Sequence, residues 1–294
     1  MAETIGFIGL GIMGSAMARN LSKQFPVLAY DVDKNKTAAA AAGNVRAAKD
    51  TAEIASSCQV IFLSLPNSAV VKSVVLGDGG LSSNMKKGSI LIDTSTTEAR
   101  VEIEIEVVLK AKGISFLDAP VSGGEKAAIE GTLSFMVGGD QKIFDETKKY
   151  MAAMGASVVR TGGISMGQVA KCVNQIICCA TFAAIAESFA LGTKAGIDPK
   201  VLYEAIKGGW AGSKVLDVAA KDMFSGEFKP GGTVDIVWKD LAYCLSVAED
   251  LNVFTPLTSL TREFFKVARG AGDGSKSQPV IVRMWEKLLG IKVK

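Results

Sequence analysis

Three glycines, Gly9, Gly11 and Gly14, punctuate the N-terminal segment Ile5-Gly-Phe-Ile-Gly-Leu-Gly-Ile-Met-Gly14. In a G-x-G-x-x-G run the first glycine permits a tight turn and the second lets a pyrophosphate approach the backbone. The third lets the following helix pack closely on its strand. The phosphates then rest on that helix's N-terminus, with Ile12 and Met13 in its first turn, where unpaired N–H groups and the helix dipole favour anions. Alone the triplet is a weak signal, but its setting strengthens it. An apolar strand precedes it, a helix with Ala16, Met17 and Leu21 on one side follows, and Asp31 closes the next strand about twenty residues on. A carboxylate there accepts from a ribose 2′-hydroxyl and repels a 2′-phosphate, which favours NAD over NADP. Lys34 and Lys36 soften the repulsion, so NADP stays possible. The competing reading of Asp31 is a plain turn carboxylate ahead of Asp33.

Hydride transfer to a carbonyl needs an acid for the developing alkoxide, and the chain has no histidine. That removes Ser-His-Asp and Cys-His catalysis, H-E-x-x-H zinc sites and most transition-metal sites. No metal is expected, and the proton must come from Lys, Tyr, Cys or a carboxylate. Tyr203 and Lys207 have Tyr-x-x-x-Lys spacing, but they lie on a surface helix far beyond the sheet pattern and are read as chance. Lys171 is the better candidate. At 100° per residue Lys171, Asn174, Gln175 and Cys178 share one helical stripe, while Val169, Val173, Ile176 and Ala180 form the opposite apolar face. A lysine in such surroundings needs a partner, and desolvation favours its neutral amine. A solvated helix end with a snorkelling lysine fits the same pattern equally well.

The elements that must position these residues alternate short apolar runs with helical stretches. The runs are residues 4–8, 27–30, 60–65, 89–92, 114–117, 133–137 and 157–159. Such alternation predicts parallel strands joined by crossover helices, with Leu65-Pro66-Asn67 and Ala119-Pro-Val-Ser-Gly-Gly124 in the loops where doubly wound sheets bind ligands. The expected fold is α/β: a Rossmann-type doubly wound sheet over residues 1–163, followed by an all-α domain over 164–294. The second domain is entered through one long interdomain helix from Met166 to about Ala195, closed by Gly196. Its stretch Ile176 to Ala186 is apolar all round but too short for a membrane span, and burial between domains or subunits explains it better.

Composition narrows the class. An apolar fraction of 48% is ample for a sizeable core, and a formal charge of +3 with scattered basic residues argues against a nucleic-acid partner. Five cysteines without C-x-x-C spacing read as reduced, buried thiols. The N-terminus runs straight into a strand, so a cytoplasmic location is expected. No membrane partner is expected. The apolar second half predicts a homo-oligomer, a dimer or tetramer.

In Gly6-Phe-Ile-Gly-Leu-Gly-Ile-Met-Gly14, Asp118-Ala-Pro-Val-Ser-Gly-Gly124, Gly167-Gln-Val-Ala-Lys-Cys-Val-Asn174 and Lys239-Asp-Leu241, the chain resembles the β-hydroxyacid dehydrogenase family along nearly its whole length. Gly123-Gly-Glu-Lys-Ala-Ala-Ile-Glu-Gly-Thr-Leu-Ser134 and Ile206-Lys-Gly-Gly-Trp-Ala-Gly-Ser-Lys-Val-Leu-Asp217 are most similar to its tartronate semialdehyde reductase branch. The resemblance implies an NAD-dependent interconversion of a small 3-oxo acid and its 3-hydroxy acid. It makes Lys171 the acid/base and Asn174 the neighbour that holds the substrate oxygen. Ser122, Gly123 and Gly124 bind the substrate carboxylate, Leu65, Pro66 and Thr96 flank the cofactor, and Lys239 reaches the site from the second domain. Two departures from the family pattern bear on the substrate: Trp210 stands in place of a smaller aliphatic residue, and Ser277-Gln-Pro279 in place of an acidic residue followed by serine. Oxidation of a 3-hydroxyisobutyrate or 2-(hydroxymethyl)glutarate type of acid is the second reading. A catalytically silent nucleotide-binding assembly module is the third, and the intact Lys171 and Asn174 pair argues against it.

Overall fold

The structure, a computed structural model, describes residues 3–294. Its strands are β1 (Ile5–Ile8), β2 (Val27–Tyr30), β3 (Val45–Ala47), β4 (Val60–Leu63), β5 (Ile90–Asp93), β6 (Ser115–Asp118), β7 (Val121–Ser122), β8 (Leu133–Gly139) and β9 (Gly155–Gly162). They form one sheet ordered β3-β2-β1-β4-β5-β6-β8-β7, with β9 on β8. Every residue of β1 is buried, because a strand covered on both faces is apolar throughout rather than alternating. Phe7 stacks on Phe62 at 6.0 Å and joins Met17, Leu21 and Phe135 in the core on one face. Its neighbour Ile8 joins Ile54, Ile61 and Ile105 on the other. Each such side chain contributes about 1.5–3 kcal/mol on full burial, so a one-residue slip of β1 would exchange both sets at once. Parallel pairing of β1 with β2 on one side and β4 on the other puts the reversal of strand order at β1. Doubly wound sheets bind ligands at that point, beyond the carboxyl ends of the strands.

The sheet departs from the all-parallel expectation at one edge. β8 runs antiparallel to both β6 and β7. The chain between β6 and β8 spends its length on β7 and a helix of 7 residues, Gly124–Glu130. That helix is about 10 Å long at 1.5 Å per residue, too short to carry the chain back along the sheet, so β8 enters from the end at which β6 leaves. β3 and β7, of 3 and 2 residues, were not legible in the sequence.

The chain divides into two compact units, one running to Lys171 and one from Cys172 to Lys294. The first is a Rossmann-type α/β unit. The second is helical apart from one isolated bridge, and buries Phe189, Leu216, Val237, Leu241 and Phe265 together. The long helix spans Met166–Lys194. By length and composition it could cross a membrane, yet Lys171, Cys172, Cys179, Phe182 and Phe189 are buried in protein. Its burial departs from a simple apolar-in reading: Lys171 is 8% exposed while Val173 is 54% and Ile177 62% exposed. Asn174, Gln175 and Cys178 are half-buried, as are Val169, Ile176 and Ala180, so Lys171 is the member of the polar stripe that packs fully inward.

Candidate active site

The three glycines of the first loop meet different demands. Gly9 has φ +95°, and a Cβ on it would lie 2.2 Å from the Ser64 carbonyl oxygen. A Cβ on Gly14 would lie 2.0 Å from the Gly9 oxygen. The fold itself therefore requires glycine at both. Gly11 differs: its φ of −67° suits any residue, and nothing lies within 4 Å of a Cβ there. A turn alone accounts for Gly9 and Gly14 but leaves Gly11 unexplained, whereas a pyrophosphate drawn against the backbone needs that open space. The helix Ile12–Ser22 begins at Gly11 with no side-chain cap and no acid in its first turn. The helices Thr51–Ser57, Ser68–Leu76 and Gln141–Ala152 are each capped by an Asp or Asn side chain. Ile12 is 54% exposed and Met13 half-buried, so the first-turn amides are accessible to an anion.

Asp31 directly follows β2 and faces this loop. Its Oδ2 accepts from Leu10 N at 2.7 Å and its Oδ1 from Asp33 N at 2.9 Å. Each oxygen keeps a second lone pair for a ribose diol. Val32, Lys34 and Lys36 are exposed beside it. Replacing Asp31 by Ala is expected to raise the KM for NADH by tenfold or more, the cost of about 1.5–3 kcal/mol for a charged hydrogen bond, and to change that for NADPH far less. Equal effects in steady-state assays would refute the ribose role.

At the ends of β4 and β5, Leu65 N donates to Ser95 Oγ at 2.8 Å and Ser95 N to Asp93 Oδ1 at 2.9 Å. These bonds tie the two loops that carry Leu65, Pro66 and Thr96. Leu65 and Thr96 are half-buried and Pro66 is exposed. Ser122 belongs to β7, and the chain then turns through Gly123 (φ +134°) and Gly124 (φ +68°). Lys171 Nζ donates to the carbonyl of Val121, next to Ser122, at 2.9 Å. The solvated-end reading of Lys171 therefore falls. A buried ammonium, a serine hydroxyl and glycine N–H groups lie along one short stretch of backbone, which suits an anion that also presents an oxygen to the lysine.

Three residues that sequence reasoning passed over hold this arrangement in place. Asp118, at the end of β6, accepts from Ser165 N at 2.7 Å and Gln168 N at 2.9 Å, so one carboxyl grips the start of the long helix. Gln168, in that helix's first turn, bonds to the loop after β5. Glu102 is fully buried, and its carboxyl accepts from the Thr97 hydroxyl. Asp118 and Gln168 stood inside quoted motifs, but nothing in their spacing announced partners some fifty to seventy residues away.

Burial pushes the pKa of Asp118 up to about 7, against the lowering pull of the Gln168 and Ser165 amides, with Asp93 adding to the rise. Burial, then Asp93 and Asp118, push Glu102 well above the usual carboxylate range. For Asp118 the folded value exceeds the unfolded one, so the native protein holds a proton that the unfolded chain has released. Its contribution to stability is complete below about pH 4 and is lost as pH rises through about 7. In urea unfolding, the stability advantage of wild type over Asp118→Asn is expected to shrink by up to about 4 kcal/mol between about pH 4 and pH 8. A constant difference would show that folding does not raise the Asp118 pKa.

In the second unit, Asn174 follows Lys171 by one turn of the same helix. Lys239, in the helix Val234–Asp250, pairs with the buried Asp240 at 2.9 Å and lies 4.7 Å from the Tyr243 ring centroid. Gln175 Nε2 donates to the other Asp240 oxygen at 2.7 Å. Lys239 is thus a held cation rather than a loose surface lysine. Trp210 is fully exposed in the loop before the helix Lys214–Ser225. Ser277 donates to Asp222 Oδ2 at 2.7 Å, a bond within the helical unit. Tyr203 donates to Asp217 at 2.9 Å and Lys207 pairs with Glu204, which leaves that pair engaged on the surface. Among the described residues no cluster of metal-ligating side chains occurs. The cysteines are free thiols, four of them buried.

Residues 4–163 match the NAD binding domain of 6-phosphogluconate dehydrogenase, and residues 165–285 match the NAD-binding domain of NADP-dependent 3-hydroxyisobutyrate dehydrogenase. The chain is 33% identical to a 2-(hydroxymethyl)glutarate dehydrogenase from Eubacterium barkeri, over 98% of this chain and 97% of that protein. It is 32% identical to the 2-hydroxy-3-oxopropionate reductase of Escherichia coli, over 98% of this chain and 99% of that one. A 3-hydroxyisobutyrate dehydrogenase from Salmonella typhimurium superimposes with a TM-score of 0.87 at 28% identity, covering 96% of this chain and 99% of its own.

Proposed function

Because the chain belongs to the β-hydroxyacid dehydrogenase family of NAD(P)-dependent oxidoreductases, we propose that its substrate is a small semialdehyde acid of the tartronate semialdehyde type, reduced to the 3-hydroxy acid with NADH. What supports this reading most is the bond from Lys171 Nζ to the Val121 carbonyl at 2.9 Å, which stations a buried ammonium beside Ser122. Ser122, Gly123 and Gly124 take the substrate carboxylate, which leaves the aldehyde oxygen toward Lys171. The lysine donates a proton to that oxygen as charge develops on it, and Asn174 holds the same oxygen from one turn further along. Gly9, Gly11, Ile12, Met13, Gly14 and Asp31 hold the dinucleotide, with Leu65, Pro66 and Thr96 flanking it, and Lys239 is assigned to the cofactor as well. The nicotinamide, when bound, supplies the hydride. Catalysis here is positioning joined to charge stabilisation.

Residues 1–163 serve as the cofactor domain and 164–294 as the substrate and oligomerisation domain. The exposed apolar stripe through Val173 and Ile177 supports a homo-oligomer, and the five free thiols support a reducing, cytoplasmic location. A panel of tartronate, succinic and methylmalonate semialdehydes with longer analogues, run with NADH and NADPH, tests the proposal. Tartronate semialdehyde with NADH is expected to give the highest kcat/KM. Preference for methylmalonate semialdehyde or a longer branched acid would move the assignment to another branch of the family. Cofactor binding without turnover of any member would overturn it.

A further inference from the structure

We infer that Gln168 is a positioning residue whose side-chain amide fixes the backbone on both sides of Thr96 to the first turn of the helix that carries Lys171. Its Oε1 accepts from Thr97 N at 3.2 Å and its Nε2 donates to Ser95 O at 2.9 Å. A backbone N–H needs an acceptor and a carbonyl needs a donor, so only one orientation of the amide satisfies both partners. Gln168 is 1% exposed, so both bonds lie away from bulk solvent. Its own N–H is held by Asp118 Oδ2 at 2.9 Å, and Lys171 follows three residues later on the same helix face. Ser95 and Thr97 are buried while Thr96 between them is half-buried, so the clamp grips the buried neighbours on either side of Thr96.

The loop is also pinned from its other sides. Ser95 N donates to Asp93 Oδ1 and Ser95 Oγ accepts from Leu65 N, while the Thr97 hydroxyl donates to Glu102. Gln168 adds the tie from this pinned loop to the helix of the lysine. The loop proposed to flank the cofactor and the helix that carries the lysine thereby share a single rigid reference. The inference rests on the roles proposed above for Thr96 and Lys171, and it adds the device that keeps them in register. Displacement of about 1 Å at a catalytic group costs about a hundredfold in rate, so loss of the clamp is expected to lower kcat far more than it weakens binding.

The test uses Gln168→Leu, which lacks both bonds, and Gln168→Glu, which keeps the acceptor and regains the donor only when protonated. With NADH and tartronate semialdehyde, both are expected to lose about 10- to 100-fold in kcat, with KM and the fluorescence-measured NADH affinity nearly unchanged. The primary isotope effect with deuterated NADH should rise as hydride transfer becomes limiting, and Gln168→Glu should recover activity as pH falls. In the protein without cofactor, the Thr97 amide should exchange hydrogen faster in Gln168→Leu. A purely structural residue would lower the melting temperature and move neither the isotope effect nor the pH profile. Wild-type kcat and isotope effect in either folded variant, or undiminished protection of the Thr97 amide in Gln168→Leu, overturns the inference. Lys171→Ala measured alongside separates the two ideas: an active Lys171→Ala with impaired Gln168 variants overturns the lysine's role alone, and the converse overturns the clamp alone.

Discussion

Lys171→Ala is expected to lose at least about a hundredfold in kcat, the usual contribution of a positioned general acid, while binding NADH nearly as tightly as wild type. The split follows from where the lysine sits. It is buried against the Val121 carbonyl, beside the stretch proposed to take the substrate carboxylate. Removing the ammonium takes away the proposed proton donor and leaves Gly9, Gly11, Gly14 and Asp31 unchanged. Arginine should not substitute, because its guanidinium does not release a proton near neutral pH and its planar fork does not fit a single carbonyl acceptor. Retention of more than about a tenth of the activity in Lys171→Ala would remove the residue from the mechanism.

The second large effect separates two glycines of one loop that are opposite in demand. Gly11→Val should fold with near-normal stability, since its backbone is extended and its Cβ direction is empty, yet lose NADH binding because the side chain fills the space a pyrophosphate requires. Gly14→Ala should behave in the reverse order. Its methyl group meets the Gly9 carbonyl at 2.0 Å, and overpacking of this kind costs about 1–3 kcal/mol or more. Urea midpoints and NADH titrations on both variants check the pair. Normal NADH affinity in folded Gly11→Val would reduce the loop to a turn.

How much of this was legible follows from how local each signal is. The glycine loop, Asp31 and the helix from Met166 announce themselves within one element, because turn geometry, spacing and periodicity are short-range properties. The burial of Lys171 was not decidable from its own helix, where a solvated end and a desolvated lysine share one pattern; the Val121 carbonyl settles it from 50 residues away. Asp118, Gln168 and Glu102 act through partners brought in by the sheet, so their residue types alone carry no message. The reversed direction of β8 is not legible in the sequence, because apolar alternation reports that a strand exists and says nothing about which way it runs. β3 and β7 are too short to show any period.

Chemical rescue bears most directly on the lysine at the centre of this mechanism. Small primary amines added to Lys171→Ala, with NADH and tartronate semialdehyde present, should restore turnover in a manner graded by amine basicity and size. Turnover of Lys171→Ala at the wild-type rate with no amine present would contradict it.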